Sequence, residues 1–131
     1  SMSKTTLPIW DHVMDSGARQ EFETGSRRDS REGKGRYDLL PTRAIQELAL
    51  HFEHGATKYG DRNWEKGQPL SRYVDSALRH GFKALAGQMD ENHAAAAAWN
   101  WMCFLETRAR IDEGTLPAEL DDLSPSVPSK Q

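Results

Sequence analysis

Apolar residues in this chain gather at helical spacing in three stretches and thin out elsewhere. Ile45, Leu48, Ala49 and Phe52 fall at i, i+3, i+4 and i+7, the pattern of one buried helix face. That helix is predicted to begin after Pro41 with Thr42 as its N-cap and to end at Gly55. A second is predicted from Pro69-Leu70-Ser71, capped by Ser71, to the neighbourhood of Gly87, with the stripe Val74, Leu78, Gly81 and Leu85. The third spans Glu91 to Asp112 and takes in the Ala94–Ala98 run and Trp99–Leu105. It is apolar nearly all round, which suits the central helix of a bundle or an oligomer interface. No period-2 segment of useful length occurs. The predicted fold is all-α, a small bundle of three to four helices.

The flanks read differently. Residues 1–33 are polar and broken by Gly17, Gly25 and Gly33, with Leu7-Pro8-Ile9-Trp10 and Val13-Met14 as a short hydrophobic anchor. They are expected to form an extended arm, residues 34–112 the helical domain, and residues 113–131 a tail with three prolines and the acidic patch Glu119-Leu120-Asp121-Asp122.

With 131 residues, 37% hydrophobic and 28% charged, the chain has room for one domain whose core is short of apolar mass. Oligomerisation is the usual way to complete such a core. The formal net charge of −3 gives no global attraction to a nucleic-acid polymer or an acidic membrane. Cys103 is the single cysteine and lies in an apolar run, so a packed, reduced thiol is expected and an intrachain disulfide or cysteine-zinc cluster is excluded. Nothing near the N-terminus reads as a signal peptide, no apolar run is long enough to span a bilayer, and a cytoplasmic protein is expected.

Candidate chemistry sits between and along the helices. The stretch His54 to Gly67 offers Lys58 and Arg62 to phosphate, Asn63 to a base edge, Tyr59 and Trp64 for stacking, and glycines for close backbone approach. It reads equally as a solvated loop whose aromatic residues plug the bundle end. Arg28, Lys34 and Arg36, set among glycines, could close over a triphosphate or belong to a charged, disordered arm. Glu47, His51 and His54 share a helix face opposite the apolar stripe, with Glu53 to one side. Asp75 and Arg79 are i, i+4 partners, which an intrahelical ion pair explains. His80 borders Tyr73, Ala77 and Ala84, where a satisfied core histidine is the plainer reading. His93 and Asn100 lie seven residues apart with Ala96 and Ala97 between, leaving room for a packed helix or a ligand. Asp90 and Glu91 suit the positive end of the third helix.

Taken in order, these segments resemble the N-terminal-type domain of phage and bacterial dATP/dGTP diphosphohydrolases, which are related to MazG-like pyrophosphohydrolases. The parts that carry the resemblance are Thr24 to Asp29, Gly33 to Pro41, Gly55 to Trp64 with its Lys-Tyr-Gly-Asp-Arg-Asn-Trp string, Asp75 with Arg79-His80, and His93 with Trp99-Asn100. The resemblance implies an α-helical homodimer or homotetramer that uses two or three Mg²⁺ or Mn²⁺ ions. Its reaction would cleave a deoxynucleoside triphosphate between the α- and β-phosphates, in the host cytoplasm if the chain is phage-encoded. MazG-like enzymes carry Glu-x-x-Glu and Glu-x-x-Asp pairs on successive helices, and neither pair stands cleanly here. On this reading Glu47, Glu53 and Asp75 would be the catalytic metal ligands, helped by Asp90 or His93. Arg28, Lys34, Arg36, Lys58, Arg62 and Arg79 would hold phosphates, and Tyr59, Asn63, Trp64, His80 and Asn100 the rest of the substrate. A nucleotide-binding protein without activity and a helical interaction module are the other classes left open.

Overall fold

The computed structural model describes residues 17–123, which fall into two compact units, one ending at Leu40 and one starting at Pro41. The apolar anchor expected in residues 7–14 lies outside the described residues.

In the first unit, strands β1 (Arg19–Glu21) and β2 (Arg27–Asp29) pair antiparallel in the register Arg19 to Asp29, Gln20 to Arg28 and Glu21 to Arg27. Gly25, at φ 89°, lets the chain reverse, and its N–H donates to the Phe22 carbonyl. This ribbon departs from the extended arm expected up to residue 33. Its strands are three residues long and mostly exposed, so they leave no alternating apolar signature to read. A short 3₁₀ turn, Tyr37–Leu39, follows.

The second unit carries the helices α1 (Thr42–Tyr59), α2 (Leu70–Leu85) and α3 (His93–Glu113). The all-α prediction holds for this unit. Both α1 and α2 pack on α3, with α2 making the larger contact. Helix α1 runs through Gly55, the expected stop, and ends at Gly60, whose φ of 96° only glycine adopts without strain. Gly55 has helical neighbours on both sides, and one glycine costs a helix only about 1 kcal/mol.

The core contains the fully buried Leu70, Tyr73 and Cys103, packed against Phe52, Trp64, Trp99, Phe104, Ile111 and Leu123. Burial pushes the Cys103 thiol up to about 12, which leaves it protonated and inert, as its apolar setting suggests. The buried side of α2 is Leu70, Tyr73 and Ala77, whereas Leu78 and Leu85 of the expected stripe face outward. Tyr73 decides the rotation, since an aromatic ring fills more of the space against α3 than Val74 and Leu78 do.

The segment after Gly114 is not a free tail as far as Leu123. Leu116 and Leu120 close over Gly67, where an added Cβ would stand 2.7 Å from Leu120 Cδ1. Arg108 pairs with Asp121 at 2.9 Å. Asp122 accepts from the Ser71 backbone N–H at 2.9 Å and from the Ser71 hydroxyl at 2.5 Å, so α2 is capped from 51 residues away and not by Ser71 itself. These bonds hold the Asp122 carboxyl below its ordinary range. A depressed folded-state value means that this stabilisation is complete above the unfolded pKa and is lost as pH falls through the folded one. Asp122→Ala should therefore lower the melting temperature by about 3–6 °C at pH 7 and by progressively less below pH 4, as followed by circular dichroism.

Candidate functional site

Two polar stripes and one stretch of α3 meet on one side of the helical unit. On α1, His51, His54, Gly55 and Lys58 fall at i, i+3, i+4 and i+7. On α2 the matching stripe is Arg72, Asp75, Ser76, Arg79, His80 and Lys83. Helix α3 contributes Ala96, Trp99 and Asn100. Small Ala96, almost fully buried, keeps the space between the stripes open. All these residues line one cleft of about 1110 Å³, to which the segment Tyr59 to Glu65 also contributes. Its size is at or above the roughly 300–1,000 Å³ of typical small-molecule sites.

The connecting segment is half helical. Lys58 and Tyr59 belong to the last turn of α1, and Asn63–Lys66 form a 3₁₀ turn. Between them Arg62 takes a left-handed conformation at φ 60°, the one non-glycine with positive φ among the described residues. Such a backbone costs on the order of 1 kcal/mol and must be held by its surroundings. Arg62 donates to Glu65 at 2.8 Å, and Glu65 also faces Arg110 at 3.5 Å. Arg110 in turn bonds Glu106 and stacks its guanidinium 5.4 Å from the Trp64 ring centre. This network ties the segment to α3. Trp64 also meets Phe52 edge-on at 6.3 Å, so its ring is fixed between helices rather than loose in solvent. Trp99 is the hub below it, 5.8 Å from Phe52, 5.9 Å from His51 and 6.4 Å from Tyr73.

Of the expected substrate-binding residues, Lys58, Tyr59, Arg62, Asn63, Trp64, Arg79, His80 and Asn100 line this cleft together. Asn100 is 6% exposed and spends one amide hydrogen on the Ala96 carbonyl at 2.9 Å. Arg79 donates to Ser76 at 3.2 Å, where an ion pair with Asp75 was the expected contact. Arg28, Lys34 and Arg36 belong to the first unit. There Arg28 is on β2, Lys34 lies 3.9 Å from Asp29, and Arg36 grips Asp38 through two bonds of 2.7 and 2.8 Å. That grip raises Arg36 and lowers Asp38 from their ordinary values.

The expected metal ligands divide. Glu53 and Asp75 line the cleft, exposed and facing the same space as the cations. Glu47 is not among the lining residues; its carboxylate accepts from the Asn92 amide at 2.9 Å, while Asn92 caps α3 through the Ala95 N–H. Asp90 and His93 pair at 2.7 Å beneath the cleft wall, where His93 is buried. The bond from His93 holds Asp90 below its ordinary value. Burial likewise lowers His51 and His80, so both imidazoles favour the neutral form.

Sequence reading passed over Arg72, Ser76 and Lys83, explained Glu91 by the helix dipole alone, and left His51 and His54 as a surface face. The signal was present as helical periodicity of polar residues on α2, a stripe hidden by attention to the apolar one.

A family model described as dATP/dGTP diphosphohydrolase, N-terminal, matches residues 24–115 of the chain. Comparison with curated proteins and with solved structures gave no match. Among the described residues no helix is long and apolar enough to cross a membrane.

Proposed function

This chain belongs to the dATP/dGTP diphosphohydrolase N-terminal family, and we propose that it hydrolyses dGTP and dATP to the monophosphate and pyrophosphate in the cleft between α1, α2 and α3. The observation that carries the reading is the pairing of two chemistries in one concavity. Lys58, Arg62, Arg72, Arg79 and Lys83 suit a polyphosphate, and Glu53 and Asp75 suit the hard cation that accompanies it.

The donor set fits Mg²⁺ or Mn²⁺, which take a few carboxylates and complete their shell with phosphate oxygens and water. Glu53 and Asp75 would hold such ions, which supply charge neutralisation at the phosphates and acidify the attacking water. In the reaction, water oxygen bonds to the α-phosphorus. The bond from that phosphorus to the αβ-bridging oxygen breaks, the electron pair leaves with pyrophosphate, and the water's proton passes to solvent or a cleft carboxylate. Arg62 and Arg79 hold the leaving pyrophosphate as its charge grows. Asn63 and Asn100 address the base and sugar edges, and Tyr59, 66% exposed, is free to stack.

Incubation with dGTP or dATP and Mg²⁺ should give monophosphate and pyrophosphate in equal amounts. Binding seen as a raised melting temperature, with no pyrophosphate formed, would favour a silent nucleotide-binding role instead. Arg62→Gly removes the charge and suits the left-handed backbone. It should keep the melting temperature within a few degrees of wild type while raising KM for dGTP about tenfold. A KM unchanged by that substitution would take Arg62 out of the phosphate site.

A second copy of the chain is part of the proposal. Leu78, Phe82 and Leu85 fall at i, i+4 and i+7 on α2 and are 52%, 68% and 82% exposed, a stripe that suits burial against another protomer. Light scattering should give a mass of two or four chains, and Phe82→Lys should reduce it.

A further inference from the structure

Beneath the cleft, α2 and the start of α3 bring two imidazoles nose to nose. The Nδ1 atoms of His80 and His93 stand 3.0 Å apart, and the Glu91 carboxylate joins them so that all three donor atoms lie within 4.8 Å of one another. Among the described residues this is the one group of three or more histidine, cysteine or carboxylate donors so gathered.

We propose that His80, His93 and Glu91 form a binding site for one divalent transition-metal cation, separate from the magnesium expected on the substrate phosphates. The tautomer of His93 is the first argument. Its Nε2 lies 2.7 Å from Asp90 Oδ1, and a carboxylate at that distance accepts a hydrogen bond from the N–H of that ring nitrogen. Nδ1 is then left with a bare lone pair, aimed at His80. A carboxylate behind a ligating imidazole is the usual outer support of a metal-bound histidine.

Distance is the second. Two nitrogens each about 2.1 Å from one ion stand about 3.0 Å apart at a right angle and about 3.4 Å apart at the tetrahedral angle. The observed separation equals that of neighbouring ligands in an octahedral or five-coordinate shell, but the rings meet end to end with centroids 5.2 Å apart, so His80 would swing off the line, by about 45°, for its lone pair and that of the fixed His93 to converge on one ion.

Access and rigidity are the third. His93 is 2% exposed and held by Asp90, so its ring direction is fixed. His80 and Glu91 both line the cleft, which gives an ion a way in and leaves water or substrate oxygen to fill the remaining positions. Imidazole nitrogen selects cations of the zinc, iron, cobalt and nickel group over magnesium. The chain segment Asp90 to His93 thus supplies a support, a ligand, a helix cap at Asn92 and a second ligand in four consecutive residues.

The test uses untagged, metal-stripped full chain titrated with Co²⁺ alone, in excess Mg²⁺ and without nucleotide. Visible ligand-field bands should grow to one equivalent. His80→Gln and Glu91→Gln should weaken Co²⁺ binding at least about tenfold, and Asp90→Asn should weaken it by about tenfold through the ring proton. Absence of the bands, or bands of wild-type strength in His80→Gln, would overturn the site and leave the two rings sharing a proton. Pyrophosphate release from dGTP with Mg²⁺ in the same preparation separates this proposal from the hydrolase one. Cobalt bands without hydrolysis uphold the site and sink the hydrolase reading, while hydrolysis without bands does the reverse.

Discussion

Replacing Asp75 by alanine should lower dGTP turnover by about 10²–10³-fold while leaving the melting temperature close to that of the wild type. Asp75 is exposed on the polar stripe of α2 and faces the cleft. Its side chain supports no core contact, so its loss should change stability by no more than about 0.5 kcal/mol. The expected effect is on the reaction. A carboxylate that holds a cation against phosphate acts where charge develops, and groups of that kind contribute about 10²–10³ in rate. Glu53→Gln should behave in the same way, because Glu53 faces the same space from α1. Glu47→Ala is the informative contrast. Glu47 lies outside the cleft lining and steadies the Asn92 cap, so its loss should reduce turnover less than about tenfold and act mainly on the start of α3. Initial rates of pyrophosphate release for the three variants decide the matter. Equal loss from all three would return Glu47 to the ligand set, and wild-type rates in Asp75→Ala would remove Asp75 from it.

The second large effect concerns stability. Leu70→Ala should destabilise the chain by about 2–5 kcal/mol, measured by urea unfolding. Leu70 is fully buried at the first turn of α2, against Tyr73 and Cys103, and the surrounding Trp64, Trp99 and Phe104 are too large and too constrained to collapse into the space it would leave. Small domains have about 5–15 kcal/mol in all, so a loss of this size takes a large share. A midpoint near that of the wild type would show that the core is not centred on this residue.

Leu70 also shows where sequence reading met its limit. Three helices and their order could be read from spacing alone, because period 3.6 survives in an amphipathic helix, whereas of the expected face of α1 only Leu48 and Phe52 turn inward and Ile45 and Ala49 are exposed. The rotation of α2 could not. Val74, Leu78, Gly81 and Leu85 form a stripe as regular as Leu70, Tyr73, Ala77 and His80, and only packing against α3 separates the two. Helix ends were harder still. Gly55 is a sound stop signal locally, yet α1 continues to Gly60, whose N–H still donates to the Ala56 carbonyl. The cap on α2 comes from Asp122, a partner that no local rule could find.

The site was legible in parts. The cations, aromatics and single asparagine of residues 58–64 were identifiable by type, and they do share one cleft with Arg79, His80 and Asn100. What spacing could not give was the convergence of α1 and α2 on a common space, which brings Glu53 and Asp75 to it and leaves Glu47 aside. The pairing of His80 with His93 was equally hidden, since thirteen residues and a turn separate them.

The most direct test of the whole account is hydrolysis of dGTP by wild-type chain with Mg²⁺ in water enriched in heavy oxygen. Attack at the α-phosphorus predicts heavy oxygen in dGMP, unlabelled pyrophosphate and a one-to-one yield of the two. Label in the pyrophosphate, release of inorganic phosphate in its place, or no turnover of either purine deoxynucleotide would contradict it.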